Sequence, residues 1–264
     1  MIKIAFSGAA GKMGKRLVAL ASADAELQIV AAVDAAESPA IGQDAGEIAG
    51  VGKIGVPVTA ALPEGATPDV LVDFSSPAAF ESLLALCLER KIPLVYATTG
   101  LNDAQISRLE DAAKTIPVLR SPSMSPAVNL TMKLAQIAAR ALKDSDVDVE
   151  IIERHHRYKV DAPSGTALKF GAIIAKEMGI DQFRNGREGK VGARPHNEIG
   201  YHAVRVGDDP GRHTIIFGAL GETLELQVRS SNRDAYARGA LEAAKFLVRQ
   251  QPGRVYDMND VLNL

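Results

Sequence analysis

The 264-residue sequence predicts an α/β fold, with a doubly wound parallel sheet in the N-terminal half and an α+β region with a mixed, open sheet behind it. Three observations carry this. The chain opens with an apolar strand that runs straight into glycines at a bend and then a helical pattern. Runs apolar on both faces then alternate with helical segments as far as about residue 120, as a sheet covered on both sides requires. Beyond that point period-2 strands and turn formers take over.

Ile2, Ile4 and Phe6 mark the first strand, and GAAGKMG places Gly8, Gly11 and Gly14 at the bend before the helix of Leu17, Val18 and Leu20. Without Cβ atoms a pyrophosphate can approach this backbone and meet the positive end of the helix. The spacing is altered, because Ala10 stands where a second glycine is usual and Gly11 follows it. The next strand, LQIVAAVD, ends at Asp34, at the interval of about twenty residues expected of a carboxylate that binds an adenosine ribose. A Rossmann-type dinucleotide site is the expectation. Asp34 repels a 2′-phosphate, and Ala35 and Ala36 offer no arginine to compensate, so NADH is the preferred cofactor; Lys12, Lys15 and Arg16 offset the carboxylate in part and leave NADPH as a tolerated second.

Strands are expected over 56–60, 69–77, 93–100 and 117–120, with helices over 78–90 and 102–114. Thr98 and Thr99 then lie at the carboxyl edge of the sheet, where such folds bind ligands. Pro122 and Pro126 mark a rigid passage into a helix over 128–142. The expected division is a dinucleotide-binding domain over 1–125, with 236–264 packing back on it, and a second domain over 126–235.

The chemistry concentrates in ERHHRYKVDAPSGTA, residues 153–167. Val147, Val149 and Ile151 alternate with Asp148 and Glu150 on the way in, the pattern of a half-buried strand. Two readings stay open here. A continued strand puts His155, Arg157 and Lys159 on one face; a turn lets His155 and His156 border one cavity. Ser164 is the expected N-cap of the following helix, so the amides of Gly165 and Thr166 face outward at its positive end, with Lys159 upstream. This suits a carboxylate or phosphate better than a neutral ligand. No metal is expected, since adjacent histidines suit one metal poorly and no cysteine pair accompanies them.

The polar stretch 181–195 reads as a loop with solvated charges, and 199–232 as a three-stranded meander with one face free to meet a second subunit. A helix over 233–250 and a tail without a core of its own end the chain. Cys87, the one cysteine, sits with Phe80, Leu83, Leu84 and Leu88 and is expected to be a buried thiol. A net charge of −2 provides no general field toward nucleic acid or anionic membrane. No apolar run approaches membrane-spanning length, MIKIAFSG is too short for a signal peptide, and a cytoplasmic location is expected.

GAAGKMG, ATTG, SPSMSPAVN and HHRYKVDAPSGTA, in this order, together with IGQDAGEIAG and YDMNDVL, resemble the dihydrodipicolinate reductase family nearly end to end. The resemblance implies hydride transfer to a small cyclic dicarboxylate in the diaminopimelate route to lysine, by a homotetramer. It implies cofactor contacts at Gly8, Ala9, Ala10, Gly11, Lys12, Met13, Asp34, Ala97, Thr98, Thr99, Ser121, Pro122, Ser123 and Met124. It also implies substrate contacts at His156, Gly165 and Thr166, with His155 as the acid–base histidine and Lys159 as proton donor and carboxylate partner. Ala97 stands where the family often has glycine, and Ala35 where it often has arginine. Two rivals are a different nicotinamide dehydrogenase and a non-catalytic dinucleotide-binding regulator; Cys87 suits no nucleophilic semialdehyde chemistry, and a regulator has no need of the histidine–lysine stretch.

Overall fold

The computed structural model describes all residues, 1–264. They form two compact units, one from Met1–Pro126 with Arg233–Asn263 and the other from Ala127–Asn232.

In the first unit, β1 (Ile2–Ser7), β2 (Leu27–Val33), β3 (Val58–Thr59), β4 (Val70–Asp73), β5 (Leu94–Tyr96), β6 (Val118–Arg120) and β12 (Val255–Tyr256) form one sheet in the order β12-β6-β5-β4-β1-β2-β3. Every neighbouring pair is parallel. The order reverses beside β1, which makes the ends of β1 and β4 the switch point where such sheets bind ligands. Helices α1 (Lys12–Ser22) and α7 (Asp234–Leu247) cover one face, burying Leu17, Val18, Leu241 and Ala244 with Phe6 and Val72. Helices α3 (Phe80–Arg90) and α4 (Asp103–Ala112) cover the other, where Phe80, Leu84 and Leu109 meet Leu71, Leu94 and Tyr96. Cys87 is buried in this second layer, and desolvation pushes its thiol up to about 12.

Local chemistry sets the ends of these elements. Asn102 and Gln105 form a reciprocal capping box that starts α4. Asp44 caps the short helix α2 (Ala45–Ala49) and also accepts from the amides of Ile54 and Gly55, which closes the glycine-rich connection on itself. Arg16 of α1 forms a two-bonded ion pair with Asp234 of α7. After the second unit the chain thus returns as α7, adds β12 beside β6, and ends in α8 (Met258–Leu262).

In the second unit, β7 (Val147–His155), β8 (Gln182–Asn185), β9 (Glu198–Arg205), β10 (Arg212–Ala219) and β11 (Glu222–Arg229) form a mixed sheet in the order β11-β10-β7-β9-β8. Helices α5 (Pro126–Leu142) and α6 (Gly165–Met178) cover one face, packing Met132, Ala135, Phe170 and Ile174 on Val149, Ile151, Ile199 and Phe217. Along β7 the buried positions are Val147, Val149, Ile151, Glu153 and His155. The apolar row therefore ends in a carboxylate and an imidazole.

Two sequence expectations need correction here. The strands after residue 197 are not a meander, because β9 pairs in parallel with β7 and the chain then crosses β7 to place β10 on its far side. Only β10 and β11 form a hairpin. The stretch 181–195 is a loop only from residue 186 onward, and two of its charges are not solvated: β8 extends the sheet edge, Arg187 binds Glu150 and Glu198, and Arg194 binds Asp148, Glu150 and the carbonyls of Val149 and Glu198. Carboxylates on β7 and β9 convert this apparent surface charge into structure. No helix is long and apolar enough to cross a membrane.

Gly14 marks the tightest fit of the glycine loop. A Cβ there would lie 2.1 Å from the Gly8 carbonyl oxygen and 2.5 Å from that of Ala9. Gly14→Ala is expected to lower stability by about 1–3 kcal/mol through overpacking, read as a lower urea midpoint, and to weaken dinucleotide binding. Gly65→Ala, with nothing within 4 Å of the added carbon, should leave the midpoint unchanged.

Candidate active site

The first unit presents a cavity of about 650 Å³ at the carboxyl edge of its sheet, lined by Gly8, Gly11, Asp34, Ala35, Phe74 and Leu62, among others. Its floor is the glycine loop. The amides of Gly8 and Ala9 both donate to Val33 O at 2.9 and 3.0 Å, and Gly11 N donates to Gly8 O at 3.1 Å. Gly11 is the N-cap of α1 and offers no side-chain acceptor, so the first amides of the helix remain directed outward. An uncapped helix start behind a close-packed glycine loop fits a pyrophosphate.

Asp34 lines this cavity and a smaller one of about 340 Å³, which also includes Lys15, Ser38 and Gln43. Its Oδ2 accepts from Ala10 N at 2.7 Å and its Oδ1 from Ala35 N at 2.9 Å. The carboxylate thus braces the glycine loop, a second task that motif spacing does not reveal. At the end of β4, Asp73 is fully buried and accepts from Ser75 Oγ and Thr98 Oγ1, both at 2.6 Å. Burial pushes its carboxyl above the ordinary value while the hydroxyls pull it back. Thr98 is therefore held by Asp73. Lys12, Met13, Ala97, Thr98, Thr99 and the Ser121–Met124 turn lie outside the lining of the larger cavity. Ala9 and Met124 belong to the hydrophobic core and shape the loops from below.

The second unit brings the other candidates together. β7 ends at His155, and the chain turns: Arg157 N donates to Gly207 O and Lys159 N to His156 O, each at 3.1 Å. The turn is thus the alternative adopted. His155 Nδ1 lies 2.5 Å from Glu153 Oε2, and Arg205 grips the same carboxylate with two bonds of 2.7 and 2.9 Å. Ser164 N donates to Glu153 Oε1 at 3.1 Å. Ser164 Oγ in turn accepts from Ala167 N at 3.2 Å, so α6 starts as expected and the amides of Gly165 and Thr166 stand at its open end. Lys159 Nζ pairs with Asp161 at 2.7 Å. His156 Nδ1 is buried with no partner.

Electrostatics separate the two inward histidines. Burial lowers the His155 imidazole below its ordinary value, Glu153 opposes that shift, and Lys159 and Arg205 add to it. His213, edge-on to His155 with ring centroids 5.2 Å apart, is pushed down to about 4 by burial and then by the neighbouring His155 charge. Its Nε2 lies 3.0 Å from Ser164 Oγ. Burial alone would raise Glu153, yet the Arg205 fork and the His155 ring hold it below the usual carboxylate value. No group of three or more His, Cys, Asp or Glu side chains is arranged to hold a metal ion.

Glu153, Arg205 and His213 are the site members that local sequence reasoning misses. Glu153 did carry a signal, since it falls in register with Val149 and Ile151 on the buried face, where an acidic residue requires a partner. Arg205 and His213 come from neighbouring strands, and only the β9-β7-β10 pairing brings them in.

Residues 2–124 match the family described as dihydrodipicolinate reductase, N-terminus, and residues 127–262 its C-terminus. The 4-hydroxy-tetrahydrodipicolinate reductase of Rhodopirellula baltica is 52% identical, over 100% of this chain and 96% of its own. That of Alkalilimnicola ehrlichii is 48% identical over 99% of each. Among solved structures, the dipicolinate-bound dihydrodipicolinate reductase of Paenisporosarcina sp. TG-14 aligns over 97% of both chains, with a TM-score of 0.78 and 27% identity. A probable dehydrogenase of Thermotoga maritima, 13% identical with a TM-score of 0.63 over 98% of this chain and 92% of its own, shares the fold alone. Matched in sequence order by both halves of one family and by relatives of the same length, this chain belongs to the dihydrodipicolinate reductase family.

Proposed function

We propose that this protein is a 4-hydroxy-tetrahydrodipicolinate reductase, which reduces the dehydrated cyclic dicarboxylate to tetrahydrodipicolinate in the diaminopimelate route to lysine. The observation that carries this reading is the shared anchorage of His155 and the Ser164 helix start on one buried carboxylate, Glu153. An acid–base group and an anion-binding terminus are thereby held in one frame. A regulator that only binds dinucleotide has no use for such a frame.

The cofactor is held by the glycine loop, Gly8 to Met13, by Asp34, and by the turns at Ala97–Thr99 and Ser121–Met124; when bound, the reduced nicotinamide supplies the hydride. The chain's own residues do the rest. The amides of Gly165 and Thr166, with His156, hold a substrate carboxylate, to which the positive end of α6 is complementary. Lys159 adds positive charge where negative charge develops as electrons move toward the ring nitrogen. His155 exchanges the proton that completes the product, a task suited to a group that titrates near neutrality. NADH is the preferred reductant, because Asp34 presents a carboxylate and Ala35 and Ala36 no cation beside it. The open face of the second sheet exposes Ile152 and Val204, and it supports assembly into a homotetramer. The cytoplasm is the proposed place of work.

Consumption of reduced nicotinamide, with substrate generated in situ from pyruvate and aspartate semialdehyde by the upstream synthase, is expected to depend on that synthase and to vanish in Lys159→Ala. NADH should show the lower KM, and a preference for NADPH of about tenfold, or about 1.4 kcal/mol, overturns the cofactor assignment. His155→Ala is expected to lower kcat by about 10²-fold or more with cofactor affinity kept, and unchanged turnover removes it from the proton role. Thr166→Val should chiefly raise the substrate KM; an effect confined to cofactor binding contradicts its placement at the substrate.

A further inference from the structure

We propose that Glu153 is the positioning residue of the proton-transfer step: it holds the Nδ1 proton of His155, fixes the ring plane, and leaves Nε2 as the atom that exchanges a proton with substrate. This deepens the functional reading above and rests on it. Glu153 is fully buried, and each of its oxygens takes two donors. Oε2 accepts from His155 Nδ1 and Arg205 Nη1, and Oε1 from Arg205 Nη2 and Ser164 N. An ionised carboxylate is acceptor-only, so the hydrogen of the His155 contact sits on Nδ1. Neutral His155 then has a bare Nε2, and its protonated form gives up the Nε2 proton first.

The surroundings of the other ring nitrogen agree. A Cβ on Gly211, whose φ is +144°, would lie 3.0 Å from His155 Nε2, so the glycine keeps that edge of the ring open. The charged and titratable groups that act on the ring come from four places: Glu153 on β7, Lys159 in the turn, Arg205 on β9 and His213 on β10. Of these only Glu153 favours the imidazolium. Lys159 and Arg205 oppose it, and His213 stands beside it as a second imidazole. A purely structural ion pair between Glu153 and Arg205 would leave both the tautomer and the titration of His155 independent of the Glu153 charge.

The test combines NMR with kinetics. Long-range ¹H–¹⁵N spectra of the full chain with labelled histidine, assigned through His155→Ala, are expected to show the neutral His155 ring protonated at Nδ1. In Glu153→Gln the ring should lose that single tautomer and titrate about one pH unit lower. Cofactor KM should stay unchanged in Glu153→Gln while kcat falls by about 10-fold or more. The limb of kcat that descends with rising pH should move to lower pH, because the imidazolium loses its stabilising anion. Glu153→Asp, which keeps the charge on a shorter arm, should restore the limb before it restores kcat. A wild-type ring protonated at Nε2, or a descending limb that stays in place in folded Glu153→Gln, overturns the proposal. Should Glu153→Gln fail to fold, the wild-type tautomer and Glu153→Asp decide. A wild-type protein that consumes no reduced nicotinamide defeats the functional reading instead, and the tautomer still decides the role of Glu153.

Discussion

The second unit depends on one buried carboxylate. Glu153 sits at the end of an otherwise apolar row and draws a ring from its own strand, a guanidinium from β9 and an amide from the start of α6 onto two oxygen atoms. Such a group is costly to bury alone, and removing one partner of a buried charge cluster typically costs about 3–5 kcal/mol. The cluster therefore stands or falls as a unit. That interdependence lets residues 52 positions apart in the chain keep a common geometry.

The first unit uses the same device in a milder form. Asp34 accepts a backbone amide from the glycine loop, and Asp73 collects the hydroxyls of Ser75 and Thr98 at the end of the neighbouring strand. In each case an acidic side chain at a strand end fixes the loop that follows another strand. Strand ends are rigid and loops are not, so a carboxylate there transfers rigidity to ligand-facing backbone.

Much of what is encoded locally was legible in the sequence, though the short helices started by Asp44 and Asp257 were not. The glycine bend, the apolar strands, the cap at Ser164 and the burial of Cys87 all follow from residue type and period. Partners brought in by topology were not legible. The pairing of β9 with β7 rather than β10 leaves no mark on its own segment, and it delivers Arg205 to Glu153. The arginines of the stretch before β9 look solvated until Glu150 and Glu198 are placed beside them. Asp34 shows the limit from the other side. Its spacing from Gly14 points to a ribose, while its bond to Ala10 N appears only once β1 and β2 lie in register.

That bond bears on how members of this fold can change reductant. On the proposed cofactor assignment, the carboxylate that repels a 2′-phosphate also accepts Ala10 N of the glycine loop, so exchanging Asp34 for a neutral residue sacrifices loop order together with selectivity. Ala35 and Ala36 carry no such double duty, and Lys15 and Ser38 already border the smaller cavity beside Asp34. Drift in cofactor choice therefore has a path of least resistance around Asp34 rather than through it, with the carboxylate retained as a fixed point while its neighbours change.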